Sequence, residues 1–204
     1  MLKNATTLVV VLGLLATLLA ACGSGDDMST DGMSGHDMGD MAMTAEGDTD
    51  AGFVNDMKPH HESAIEMAEI AQRRAQHREI ATLADDIVAA QSSEIDELEQ
   101  ISDRLGASTD ASLGLSMDAM GMEMDTASLE SAKPFDRAFI DMMIPHHQGA
   151  IEMARVELEQ GSDAQTKDLA KRIIAAQTRE IEEMNAWRTQ WYGEPSPAGG
   201  VPAS

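Results

Sequence analysis

The chain is poor in several residue types. It has one cysteine, Cys22, in 204 residues. No intrachain disulfide can form, and with Cys22 lipidated any site for a soft metal would have to rest on methionine sulfur and histidine nitrogen. Aromatic residues are only 3% of the sequence. Basic residues are scarce, 14 against 36 acidic ones, giving a formal net charge of −22 and a pI near 4.3. Such a surface repels nucleic acid and draws cations, so nucleic-acid binding is excluded as a function. There is no strand signal, and the one long apolar run, Leu8 to Leu19, is too short for a typical membrane span.

What the chain has instead is methionine, 16 residues of it, and one stretch that occurs twice. The first copy runs from Phe53 through Met57, Pro59, His60, His61, Ala64, Ile65 and Met67 to Ala68. The second runs from Phe139 through Met143, Pro145, His146, His147, Ala150, Ile151 and Met153 to Ala154. The offset of 86 (146 − 60) also holds downstream, where Ala89, Ala90, Gln91, Glu94 and Ile95 match Ala175, Ala176, Gln177, Glu180 and Ile181. A constant offset across both blocks marks one structural unit of about 46 residues, present twice. Four of the six histidines occupy the same place in it.

In chain order, residues 1–21 have the character of a signal peptide, with Lys3 their only charge. Leu19-Ala20-Ala21-Cys22 resembles a bacterial lipobox, in which Cys22 would be acylated and anchor the protein on the extracytoplasmic side of the membrane. Residues 22–51 are rich in Gly, Asp, Ser, Thr and Met and are expected to form a disordered tether. Met28, Met33, His36, Met38, Met41 and Met43 lie in it and suggest a flexible sulfur ligand set. Residues 52–192 carry four amphipathic patterns, expected as helices from near Pro59 to about Gln76, then 79–104, 135–160 and 163–191. The fold class is therefore all-α, a four-helix bundle built from two repeated helical hairpins. The joining linker, 105–133, holds a second cluster of methionines and acids: Met117, Met120, Met122 and Met124. Residues 193–204, rich in Pro and Gly, are expected to be a loose tail. The linker could return to either end of the bundle. A ferritin-like crossover is expected to place the two His-His pairs toward opposite ends, and a simple up-down bundle at the same end.

On a helix, Met57, His60, Ala64 and Met67 share a face, as do Met143, His146, Ala150 and Met153. His61 and His147 lie on neighbouring stripes. If the hairpin turns centre near 77 and 163, His60 comes level with Glu94 and His146 with Glu180, while Gln91 and Gln177 lie one turn away. Each carboxylate could ligate a metal or orient a ligating imidazole. His77 is matched by Asp163 in the second copy and is read as a surface residue.

Phe-x-x-x-Met-x-x-His-His-x-x-Ala-Ile-x-Met-Ala, followed by Ala-Ala-Gln-x-x-Glu-Ile, resembles the domain-of-unknown-function family 305 over roughly residues 50–192. The resemblance implies a ferritin-like bundle. Some members resemble periplasmic copper-binding proteins of the CopM type, in which His and Met are ligands for copper or silver. Carried onto this chain, that implies Met57, His60, His61 and Met67, with Met143, His146, His147 and Met153.

Three functions compete. The first is a lipid-anchored binder of Cu(I), with Cu(II) and Ag(I) also accommodated, that sequesters copper or passes it to a transfer protein; it would not be an enzyme. The second is a structural or partner-binding envelope lipoprotein. The third, a ferritin-like di-iron enzyme, needs Glu-x-x-His on two helices. Met57 and Met143 stand where those glutamates would be, which argues for copper over iron. Imidazole ligates only when neutral, so histidine sites are expected to release metal as pH falls from about 7 to about 5, while all-methionine sites hold Cu(I).

Overall fold

The computed structural model describes residues 48–203. The proposed signal peptide, Cys22, and the tether's Met28, Met33, His36, Met38, Met41 and Met43 lie outside the described residues. Four long helices and one short one make up the fold: α1 (Asp48–Arg74), α2 (Arg78–Leu105), α3 (Thr126–Leu129), α4 (Phe135–Gln160) and α5 (Ala164–Tyr192). No strand occurs among the described residues.

The first helix starts well before Pro59, inside the segment expected to be tether. Pro59 and Pro145 are therefore interior residues of α1 and α4. Each removes one i→i−4 hydrogen bond, a cost of about 3 kcal/mol that the long buried stripes of these helices offset. The other boundaries follow local chemistry. Gly106 ends α2 in the left-handed conformation (φ 60°), its N–H bonded back to Asp103 and Ser102. Asp163 caps α5 by accepting from the Thr166 N–H.

The turns between paired helices are capped across the bundle. Asp136, at the start of α4 and fully buried, accepts from the N–H groups of Gln76 and His77 in the α1–α2 turn. Asp50, near the start of α1, accepts from the N–H groups of Ser162 and Asp163 in the α4–α5 turn. Asp50 and Asp136 are separated by the same 86 residues (136 − 50) as the histidine pairs. The start of α1 thus lies at the end of α4, and the reverse, so these helices are antiparallel and related by an approximate twofold axis.

The chain consequently crosses over. From Gly106 the linker returns along α1: Asn55 Nδ2 donates to the carbonyls of Ser108 and Ala111, Asp56 accepts from Leu113 N–H, and Arg73 pairs with Glu130. Leu129 is fully buried. The linker is a fastened strap and not a flexible segment. The tail is fastened as well. Gln148 donates to the carbonyls of Ala198 and Gly200, Arg155 to those of Pro202 and Ala203, and Ser196 is buried. Residues 193–203 therefore pack on α4 and α5 instead of forming the loose tail expected from their composition.

α1 packs on α2 and α4, and α4 on α5, whereas α2 and α5 touch only lightly. The apolar interior falls into two clusters. Between them lies a buried polar layer that holds the four paired histidines.

Candidate metal centre

The antiparallel arrangement decides where the histidines go. His60 and His146 lie near the midpoints of α1 and α4, so the twofold brings them together, their ring centroids 3.7 Å apart. The expectation that a crossover separates the pairs fails for a geometric reason. It placed His60 at a helix end, but α1 extends three turns upstream, and the equivalent midpoints of antiparallel helices meet. His61 and His147 flank the central pair, at 6.3 and 6.4 Å from their neighbours. All four side chains are fully buried.

The methionines bracket this layer. Met67 and Met143 belong to one core cluster, Met57 and Met153 to the other, and all four are fully buried. Each cluster thus takes one methionine from each repeat. All four are core residues; their thioethers fill the apolar space on both sides of the imidazoles.

The hydrogen bonds define the state of the rings. His61 Nε2 lies 2.8 Å from Glu94 Oε2, and His147 Nε2 lies 2.6 Å from Glu180 Oε2. The carboxylates therefore meet the second histidine of each pair, one residue along from the expected alignment, in the geometry of the orienting role. His60 Nε2 lies 2.9 Å from the Met120 carbonyl. These partners only accept, so each of the three Nε2 atoms donates to its oxygen and Nδ1 is the nitrogen left over. The Nδ1 atoms of His60, His61 and His147 have no partner, and neither ring nitrogen of His146 has one. Burial, with the neighbouring His61, pushes the His60 pKa down to about 3. Burial, with His60 beside it, also holds that of His146 well below its usual value. Both rings therefore stay neutral, the ligating form, far below the pH window of about 7 to 5 expected for exposed imidazole. Among the described residues no three His, Cys, Asp or Glu side chains converge closely enough to cage an ion. Thioether sulfur and the amide oxygens of Gln91 and Gln177 are further buried donors among the described residues.

The linker methionines differ in their surroundings. Met120 packs against one core cluster and Met124 against the other, Met122 is half-buried, and Met117 is 49% exposed. What reaches the centre is backbone, the Met120 carbonyl. Two glycines permit that approach. A Cβ on Gly149 would lie 1.9 Å from Met120 O, and one on Gly121 (φ 65°) 2.2 Å from Pro145 O. His77 does more than sit on the surface: it bonds the buried Asp136 at 2.5 Å and stacks on Trp191 at 3.7 Å.

The comparisons with known proteins agree with this geometry. The model of a family described as "Domain of unknown function (DUF305)" matches residues 50–188. CopM in its Cu(I)-bound form is 36% identical, covers 71% of this chain and 98% of its own, and superposes with a TM-score of 0.62. Its Cu(II)-bound form gives 35%, 70%, 97% and 0.63, and its Ag-bound form obtained by co-crystallization 36%, 71%, 98% and 0.61. A DUF305 protein of Streptomyces coelicolor, described as a candidate secreted protein, is 26% identical with a TM-score of 0.65, over 74% of this chain and 98% of its own. Among curated proteins, the uncharacterized protein L153 of Acanthamoeba polyphaga mimivirus is 41% identical over 51 residues. That match spans 25% of this chain and only 34% of the viral protein.

Proposed function

Because the chain belongs to the domain-of-unknown-function family 305, we propose that it is an extracytoplasmic, lipid-anchored copper-binding protein that sequesters the metal or hands it on. The observation that carries this reading is the state of the imidazoles. Three buried rings have one nitrogen committed to a fixed acceptor and the other bare, and His146 is uncommitted. Leaving such atoms unpaired costs about 1–3 kcal/mol each. A ligand that binds lone pairs removes that cost, and a metal-ligating histidine characteristically donates its other N–H to a carboxylate or carbonyl. Imidazole with thioether suits Cu(I) and Ag(I), and imidazole alone also suits Cu(II).

CopM, solved with Cu(I), Cu(II) and Ag, supports the choice of metal. Met57 and Met143 at the places where a di-iron centre needs glutamate argue against iron. His60, His61, His146 and His147 would bind the ion, Met57, Met67, Met143 and Met153 would supply sulfur, and Glu94 and Glu180 would orient His61 and His147. The linker cluster Met117–Met124 and the tether's Met28–Met43 and His36 are further candidate ligands outside this centre. The lipobox ending in Cys22 supports the anchor, and no described helix is long and apolar enough to cross a membrane.

The test is metal analysis of a soluble form lacking residues 1–22 after exposure to Cu(I), Cu(II), Ag(I), Fe(II) and Zn(II). Cu(I) and Ag(I) should survive competition with a moderate chelator. A variant with the four central histidines changed to Ala should lose the histidine-dependent share of both ions and keep only what the tether and linker methionines hold. Equal retention by that variant, or assembly of a stable two-iron centre, overturns the proposal.

A further inference from the structure

The buried histidines are closed off on one side and approachable on the other. Over the α1/α4 face the strap lies directly on them. The Met120 carbonyl accepts from His60, and the backbone around Gly121 and Gly149 is in van der Waals contact with it, leaving no room for a Cβ. On the opposite side α2 and α5 barely touch. Between them runs an open groove of about 410 Å³, with Ala89, Ala90 and Ala176 as its small residues and the acids Asp86, Glu180 and Glu183 outnumbering its one basic residue, Arg179. Glu180 belongs to both places, since it lines the groove and bonds His147. Its side chain and that of Glu94 are 16% and 18% exposed, whereas His147 and His61 are wholly enclosed.

Next in sequence to Ala90 and Ala176 of the groove are two buried glutamines, Gln91 and Gln177. They are 3% and 2% exposed and occupy equivalent places in the repeats. Gln91 Oε1 and both amide atoms of Gln177 have no partner. Each stands one turn before a glutamate of the centre, Gln91 before Glu94 and Gln177 before Glu180, and so shares its stripe. Of the ten unpartnered buried polar atoms among the described residues, eight belong to these two glutamines and the four histidines. Leucine at either position would avoid the desolvation cost. The amides therefore need an occupant that packing does not supply.

We infer that Gln91 and Gln177, with Glu94 and Glu180, form an oxygen-lined antechamber through which the metal cation passes from the α2/α5 groove to the buried histidines. This rests on the copper reading. An entering ion must shed water, and amide and carboxylate oxygens replace that water one ligand at a time. Oxygen is a poor final ligand for Cu(I) or Ag(I), so the ion moves on to imidazole and thioether. A site on such a path must bind well enough to admit the ion and weakly enough to release it. The acidic groove concentrates cations at the entrance.

The experiment uses the full-length chain in detergent, with Ag(I) as a redox-inert probe and Cu(I) as the cargo. It compares the parent with Gln91→Leu/Gln177→Leu, and with Ala176→Leu, which narrows the groove from outside. Rates of loading and of release into excess chromophoric chelator are measured by stopped flow, and affinity by equilibrium competition. Removing buried unpaired amides should not unfold the protein, and its helical circular dichroism should stay that of the parent. Loading and release should both slow by about tenfold, with affinity unchanged, because a barrier on a path affects both directions equally. Unchanged rates in both variants would mean that the ion enters under the strap, and the route is wrong. Affinity falling in step with the loading rate would make the glutamines ligands and would also overturn it. A parent that binds neither ion overturns the proposed function itself, and the route with it.

Discussion

The two hairpins share their interior and differ at their ends. Within the bundle, every polar residue of the centre has its counterpart 86 positions on: His60 and His146, His61 and His147, Glu94 and Glu180, Gln91 and Gln177, and the methionine pairs. Away from the centre the match is broken in places: at the hairpin ends Ala71 corresponds to Glu157 and His77 to Asp163, and under the strap Ser63 corresponds to Gly149, although the capping Asp50 and Asp136 still match. Chemistry held at a twofold axis needs both halves alike, whereas the ends of each hairpin meet different surroundings. The strap is bonded along α1 but presses backbone to backbone on α4 at Gly149, and the tail covers only α4 and α5.

The largest effect should come from the caps. Asp136→Ala removes a buried carboxylate that holds two turn N–H groups and the half-exposed His77, and should cost about 3 kcal/mol in denaturant unfolding. Asp50→Ala should cost only about 2 kcal/mol, because it also removes a carboxylate that faces Glu157. Equal losses would deny that the two ends differ. The strap gives the next contrast. Gly149→Ser drives a Cβ into Met120 O and should cost about 2–3 kcal/mol, whereas the reciprocal Ser63→Gly should cost only about 0.5 kcal/mol of helix propensity.

Glu157 separates the ends by pH. Burial, then the Asp50 carboxylate beside it, raises its pKa to about 8, and neither carboxyl oxygen has another partner. Its folded pKa lies above its unfolded value near 4.5. Its contribution to stability is therefore full below about pH 4.5 and is lost as pH rises through about 8. Glu157→Gln should abolish that slope in thermal melts and be more stable than the parent at pH 9, by about 1–2 kcal/mol. The smallest effect belongs to the shared interior. Glu94→Gln and Glu180→Gln should each weaken Cu(I) binding by about tenfold, and by the same factor, because each orients one histidine of an equivalent pair.

The all-helical repeat and its constant offset are legible because helical periodicity is local and survives in a single sequence. The level of Glu94 and Glu180 follows from hairpin arithmetic to within one residue. The meeting of the two histidine pairs is not legible in this way. It depends on the path of the linker and on α1 beginning at Asp48, within a segment whose composition suggests disorder. Asp50 and Asp136 carry the offset of 86, but they precede the motif that begins at Phe53 and Phe139, and a lone Asp has no periodicity to flag it. The strap reaches the centre through a carbonyl, which no side-chain pattern records. Gly121 and Gly149, each allowing close backbone approach, were its only trace.

The central claim is that both repeats build one metal centre. Competition titration with a chromophoric Cu(I) chelator tests it most directly, on the parent, on His60→Ala/His61→Ala and on His146→Ala/His147→Ala. A shared centre predicts that either double substitution removes the whole class of tight histidine-dependent sites, since each leaves the opposite pair without its partner across the axis. Retention of half that stoichiometry at parental affinity by each variant would mean two independent sites, and would contradict the account.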